Sequence, residues 1–125
     1  MTAYLIVAFG SALGGALRHG VNVASARLLG MEWPYGTFLV NIFGSFLLGL
    51  LAAYFAFKGD APQAWRLFLT TGVLGGFTTF SAFSLDVALL YERGQLGTAV
   101  LYAGSSVLVS VAALFTGLAI VRHFN

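Results

Sequence analysis

The chain has 125 residues, of which 59% are hydrophobic and only 8% are charged. Its mean hydropathy of +0.92 excludes a soluble domain, because so short a chain could not bury this much apolar side chain, and indicates an integral membrane protein. The net charge of +2 comes from basic residues scattered at the ends of apolar stretches, which indicates membrane-topology signals and no nucleic-acid partner. The absence of cysteine excludes disulfides, thiolate metal sites and cysteine nucleophiles.

Four apolar stretches predict four membrane-spanning helices in a single domain. A helix rises about 1.5 Å per residue, so a bilayer core of about 30 Å needs roughly 20 residues. The predicted spans are residues 2–29, 35–57, 64–92 and 95–122. The first stretch lacks a basic leader, so no signal peptide is expected. Since the connections are short, any function is expected inside the membrane.

The first predicted span carries Arg18 and His19. An ionisable side chain within a membrane is costly and is a functional candidate by default. Arg18 could attract an anion into an aqueous vestibule or extend its charge to the membrane surface, and both roles stay open. No second metal ligand stands at a suitable spacing from His19, so no metal site is expected there.

The second predicted span places Asn41 in an apolar run, with Thr37 one turn earlier. The Asn41 amide could donate hydrogen bonds to an anion or brace a neighbouring helix.

The third predicted span is interrupted near its middle by residues 75–84, GGFTTFSAFS. Gly75 and Gly76 favour non-helical dihedral angles, and Thr78, Thr79 or Ser81 could cap a helix that restarts. Inside a bilayer the freed carbonyls and amides need partners. Exposed carbonyls could bind a small cation, whereas the amino end of a restarting helix favours an anion.

Three phenylalanines in this segment recur every three residues, at Phe77, Phe80 and Phe83. Because the edge of a phenyl ring is positive, an anion can lie in the ring plane without a cationic residue nearby. Asp86 follows one turn later, where pairing with Arg18 or Arg93, or capping of a half-helix, is expected to be structural.

The fourth predicted span carries hydroxyl groups every four residues, which places them on one helix face. They belong to Thr98, Tyr102, Ser106 and Ser110. Such a series predicts a hydrophilic track along the helix.

Basic residues are divided almost evenly between the two ends of the predicted bundle. Lys58, Arg66 and Arg122 fall at the end that carries both termini, and Arg27, Arg93 and the deeper Arg18 fall towards the other. This weak bias would allow insertion in both orientations and hence an antiparallel homodimer. Small residues four positions apart favour close helix packing and an oligomer; these pairs are Gly10 and Gly14, Ser45 and Gly49, and Gly72 and Gly76.

Three segments together resemble the small fluoride channels of the Fluc (CrcB) family, and the resemblance covers essentially the whole chain. They are GGALR at residues 14–18, PYGTFLVNIFGS at 34–45 and GGFTTFSAFS at 75–84. Two positions depart from the family pattern. Ala82 stands where threonine is usual, and Asp86 stands where glutamate is usual.

The resemblance implies an all-α, dual-topology antiparallel homodimer with two pores and a structural sodium ion at its centre. Backbone carbonyls of Gly75 and Thr78 would hold this ion. The resemblance assigns the fluoride pathway to Asn41, Phe80, Phe83, Tyr102, Ser106 and Ser110, with Thr37 nearby and Arg18 in the vestibule. Ser81 is expected to add a further hydroxyl donor.

The predicted function is therefore a passive, fluoride-selective channel of the bacterial inner membrane, surrounded by lipid, which relieves fluoride toxicity. No enzymatic role is expected, and no glycine-rich phosphate loop is present. The main alternative is a small dual-topology, proton-coupled multidrug exporter. That mechanism needs a carboxylate within the first helix, where none precedes Glu32. A structural subunit of a larger complex is a second alternative.

Overall fold

The structure, a computed structural model, describes residues 1–124 and contains four helices and no strands within them. The helices are α1 (Thr2–Leu29), α2 (Tyr35–Phe57), α3 (Gln63–Glu92, interrupted) and α4 (Leu96–His123). The predicted all-helical fold with four helices is confirmed. By length and composition α2, α3 and α4 can each cross a membrane, so the chain is a multi-pass membrane protein.

Helix α1 differs from the other three in composition. It has 28 residues and so is about 42 Å long, which exceeds the thickness of a bilayer core. Its apolar run is diluted by glycines and by Arg18 and His19, and it is not among the three helices that are apolar enough to span. Crossing by α1 therefore remains a prediction.

Helix α1 packs against the first half of α3 through facing small residues. A Cβ atom added to Gly72 would lie 2.9 Å from the Gly10 Cα atom, and one added to Gly76 would lie 2.9 Å from the Ser11 Cα atom. Neither helix could approach this closely with larger side chains. The small pairs of α1 and α3 thus serve packing within one chain.

Helix α2 packs against α4 in the same manner, with Gly49 against the Leu114 backbone and Gly117 against the Leu50 backbone. The α1–α3 pair and the α2–α4 pair meet at Gly44 of α2. A Cβ atom added there would strike the methyl group of Thr78 in the middle of α3. The interruption of α3 therefore lies where α2 crosses it.

The first half of α3 ends at Phe77, three residues later than a break at Gly75 would place it. It runs through a wide, π-helical segment (Leu67–Leu74) and one α-helical turn (Gly75–Phe77). Thr78 (φ −85°, ψ 159°) and Thr79 (φ −154°, ψ 122°) are then extended, and α-helix resumes over Phe80–Glu92.

The prediction that Gly75 and Gly76 themselves leave the helical conformation is wrong. Gly75 has φ −62° and ψ −37°, and Gly76 lies within the α-helical turn. Glycine tolerates a break without requiring one, and here Gly76 is needed because a side chain would strike α1. The break falls instead on the threonines, whose polar groups find partners elsewhere in the chain.

The loop between α2 and α3 is held by Arg66. Its guanidinium donates to the Gly59 carbonyl at 2.8 Å and the Lys58 carbonyl at 3.3 Å. It also lies 5.7 Å from the centre of the Phe55 ring. Arg66, one of the three basic residues at the end of the bundle that carries both termini, is therefore hydrogen-bonded to the loop.

Candidate functional site

The break in α3 is bound on both sides of Thr79 by the side-chain amide of Asn41. The Thr79 N–H donates to Asn41 Oδ1 at 2.8 Å, and Asn41 Nδ2 donates to the Thr79 carbonyl at 3.0 Å. An extended residue presents its own N–H and C=O along the same edge, and an amide side chain supplies one acceptor and one donor to match. Of the two roles expected for Asn41, bracing a neighbouring helix is observed.

Thr79 also begins the second half of α3. Its Oγ1 accepts from the Ala82 N–H at 3.1 Å and lies 3.3 Å from Ser81 Oγ. This is the hydrogen bond of an N-cap, worth about 1 kcal/mol to a helix. Thr79 is thus the cap among the three candidates that the sequence offered.

These two interactions leave two carbonyls of the break without helical partners. In an uninterrupted α-helix the Thr79 N–H would bind the Gly75 carbonyl, and the Ala82 N–H would bind the Thr78 carbonyl. Both donors are used elsewhere, so neither carbonyl has its usual helical partner, and in the part of the chain that the structure describes no hydrogen bond to either carbonyl is found outside the helices. Unpaired carbonyl oxygens are the ligands that small hard cations prefer in a broken membrane helix.

Gly75 and Thr78 also line one small cavity of about 140 Å³ between α2 and α3. Thr70 and Ser45 contribute hydroxyl-bearing side chains to its wall. The cavity has room for an ion and its water, so the residues present fit a sodium site.

A larger groove of about 310 Å³ lies beside the break, between α2, α3 and α4. It is lined by Asn41, Ser45, Thr78, Thr79, Phe80, Phe83, Ser106, Val107, Ser110 and Val111. Five of the residues predicted to form an anion pathway are therefore brought together in it: Asn41, Phe80, Phe83, Ser106 and Ser110.

Two phenylalanines form one wall of this groove. The Phe80 and Phe83 ring centres lie 5.5 Å apart, and Phe80 is 77% exposed. A phenyl ring so exposed, beside polar groups and within a membrane, is available to a ligand or to a second protein surface.

The hydroxyl groups of Ser106 and Ser110 lie on the other wall, from α4. Both oxygens are buried, and neither has a hydrogen-bond partner within the part of the chain that the structure describes. Serines in membrane helices commonly bond back to their own helix, as Ser105 does to the Tyr102 carbonyl at 3.3 Å. Two adjacent turns of α4 that carry unpaired hydroxyls beside one groove have donors free for a bound anion.

Tyr102 does not line this groove. Its ring is fully buried against Trp33 at 5.1 Å and Phe83 at 5.4 Å, and its hydroxyl donates to Asp86 Oδ2 at 3.0 Å. Asp86 forms no ion pair among residues 1–124, so its partner is this hydroxyl and not Arg18 or Arg93. The tyrosine joins α4 to the second half of α3.

The remaining predicted residues lie apart from the groove. Thr37 is buried and lines a separate cavity of about 300 Å³ at the end of the bundle, together with Asp86 and Ala82. Ser81 is exposed next to the cap, and Arg18 is half-buried on α1. Their assignment to an ion pathway stays a prediction.

Among the polar groove residues, Thr79 and Ser45 had no predicted role in binding an ion. Thr79 was considered only as a cap, and Ser45 only as a small packing residue. Ser45 follows Asn41 by four positions, which is the spacing that places both on one face of α2. Ser45 lines both the groove and the small cavity. Its spacing from Asn41 was therefore the sequence signal that could have identified Ser45 as a site residue.

Comparison with known proteins bears on the same residues. The family described as "CrcB-like protein, Camphor Resistance (CrcB)" matches residues 5–118. The chain belongs to the CrcB-like family. The match includes the break, the groove and the small cavity of this CrcB-like chain.

Several curated relatives are similar over nearly their whole length. A protein of Nitrobacter hamburgensis named "Fluoride-specific ion channel FluC 2" is 60% identical over 98% of both chains. Proteins named "Fluoride-specific ion channel FluC" from a strain of Rhodopseudomonas palustris and from Methylobacterium nodulans are each 57% identical. These alignments cover 95% and 97% of this chain and 96% and 97% of the relatives. These comparisons do not support the alternative hypothesis of a multidrug exporter.

Proposed function

We propose that this CrcB-like protein is a passive, fluoride-selective channel that lets fluoride leave the bacterial cytoplasm across the inner membrane. The observation that carries the proposal is the groove beside the α3 break. There Ser106 and Ser110, whose buried hydroxyls are unpaired, line the same groove as Phe80 and Phe83. The names of the relatives, at 55–60% identity over nearly the full length, support fluoride as the ion.

The conducting unit is an antiparallel homodimer in which all four helices of each chain cross the bilayer. A large share of the apolar surface is exposed in the single chain; only 11% of the most apolar window of α4 is buried. Lipid can cover much of this surface, but an open groove that carries hydroxyls needs a protein wall to exclude lipid tails. A second copy supplies that wall, and the balanced basic residues allow it to insert inverted.

Conduction follows from the chemistry of these side chains. Arg18 attracts fluoride towards the mouth of the pathway, and hydroxyl groups and the free Asn41 Nδ2 hydrogen then replace its water. The Phe80 and Phe83 ring edges offer further positive charge without a fixed cation. Fluoride is small and strongly hydrated, so close-set strong donors in a narrow path favour it over chloride. No catalytic residue and no energy source is needed.

A structural sodium ion at the dimer centre completes the proposal. The unpaired carbonyls of Gly75 and Thr78 would hold it, and the cavity that both line supports this assignment. A bound cation satisfies backbone groups that would otherwise be costly within a membrane. It would join the broken helices of the two copies.

The test compares two matched phenylalanine substitutions in liposomes that contain only this protein. Phe80→Ile removes a ring from the groove, whereas Phe115→Ile removes a ring that is 62% exposed on α4 and does not line the groove. We expect Phe80→Ile to slow fluoride efflux about fivefold, since the ring edge stabilises the ion by about 1 kcal/mol. Phe115→Ile should leave efflux unchanged. Equal efflux from both variants would contradict the role of the Phe80 ring.

A further inference from the structure

The amide of Asn41 decides which acceptor receives the Thr79 N–H. Thr79 is 8% exposed, so water cannot readily substitute for a protein partner. The two available acceptors are Asn41 Oδ1, which the N–H binds at 2.8 Å, and the Gly75 carbonyl, which it would bind in a continuous helix. The two acceptors exclude one another, because the ψ angle of 159° at Thr78 turns the following peptide plane, and with it the Thr79 N–H, away from its helical orientation.

Asn41 wins this competition because it forms two hydrogen bonds where the helix would form one. Its Nδ2 donor binds the Thr79 carbonyl at 3.0 Å while its Oδ1 acceptor takes the N–H. The extended geometry also lets Thr79 Oγ1 cap the Ala82 N–H. Without the amide, the balance shifts towards continuation of the helix through residue 79.

We infer that Asn41 is a positioning residue for the cation site. By taking the Thr79 N–H, it keeps the Gly75 carbonyl free to bind a sodium ion. This inference rests on the sodium site of the proposed function. This role differs from the proposed donation of a hydrogen bond by Asn41 Nδ2 to fluoride, because here the decisive atom is the acceptor Oδ1.

Three substitutions separate the acceptor from the donor. Asn41→Asp keeps an acceptor for the Thr79 N–H and loses the donor to the Thr79 carbonyl. Asn41→Leu has a similar shape and loses both. Asn41→Gln keeps both groups but moves them one methylene group away, so it remains polar if the leucine variant fails to fold.

The experiment measures the thermal unfolding midpoint of the purified protein in sodium chloride and in N-methyl-glucamine chloride at equal ionic strength. We expect sodium to raise the midpoint of the wild type and of Asn41→Asp. In Asn41→Leu and Asn41→Gln the sodium-dependent rise should disappear, or require about tenfold more sodium. Ser105→Ala, which removes a hydroxyl bonded only to its own helix, should keep the full rise.

The possible failures are distinguishable. A full sodium-dependent rise in both Asn41→Leu and Asn41→Gln would overturn the role of Asn41 while leaving the sodium site in place. Loss of the rise in Asn41→Asp would overturn it as well, because that variant keeps the acceptor. A wild type that does not respond to sodium would remove the cation from the proposed function, and the inference with it, whatever the fluoride flux.

Discussion

At the scale of single residues, the buried hydroxyls of Ser106 and Ser110 have unmet hydrogen-bonding capacity. A buried hydroxyl without a partner costs about 1–3 kcal/mol, a cost that is explained when a ligand supplies the missing bond. In the proposed channel the ligand would be the passing fluoride ion. The two serines would then destabilise the empty protein and stabilise the occupied one.

Replacing Ser106 by alanine should separate these two effects. Ser106→Ala removes the unpaired hydroxyl, so thermal stability should stay the same or rise slightly. Fluoride efflux from liposomes should slow about tenfold or more, because a hydrogen bond to a charged ion is worth about 1.5–3 kcal/mol. Ser105→Ala, which removes a hydroxyl bonded to its own helix, is the control. Equal losses of flux in both variants would argue against donation by Ser106.

The four-residue spacing of Tyr102, Ser106 and Ser110 correctly places these residues along one helix face, but their neighbours differ. The serines have short side chains and line the groove. The longer tyrosine reaches past it to Asp86 and packs against Trp33. Spacing determines the direction of a side chain from its helix, whereas the partner depends on the helices opposite, which the local sequence does not specify.

At the scale of helices, glycines set how closely α1 and α3 approach. An alanine at Gly72 would place its methyl group 2.9 Å from the Gly10 Cα atom, a backbone atom that cannot move aside alone. Gly104 on α4 has no neighbour within 4 Å of such a methyl group. The two positions are therefore a matched pair for testing helix packing.

We expect Gly72→Ala to destabilise the protein by about 1–3 kcal/mol through overpacking. Gly104→Ala should be neutral or stabilising by up to about 1 kcal/mol, since alanine is the better helix former. Thermal unfolding of both purified variants in the same detergent measures the difference. A Gly72→Ala protein as stable as Gly104→Ala would mean that α1 and α3 are not held together at this point.

Gly75 and Gly76 show how far the position of the break can be predicted from the local sequence. The motif at residues 75–84 correctly predicts an interrupted third helix, and its glycines suggest the place. The observed place depends on Asn41, which lies 38 positions earlier in the chain and reaches the break only after folding. A break stabilised by a distant amide cannot be located from the residues around it.

At the scale of the whole molecule, composition accounts for the class and for three of the four predicted spans. The long, charge-poor stretches of α2, α3 and α4 are sufficient by themselves. Helix α1 is less apolar, and its packing against α3 is what gives it a place in the bundle. The groove remains open in the single chain, because its proposed missing wall is a second copy of the same protein.

Passive fluoride conduction is tested most directly by purified protein in liposomes loaded with both fluoride and chloride. No nucleotide is added, and a protonophore with valinomycin removes any proton or electrical gradient. We predict that fluoride leaves the liposomes rapidly while chloride is retained. Retention of fluoride until a proton gradient is imposed, or loss of both halides at similar rates, would contradict a passive fluoride-selective channel.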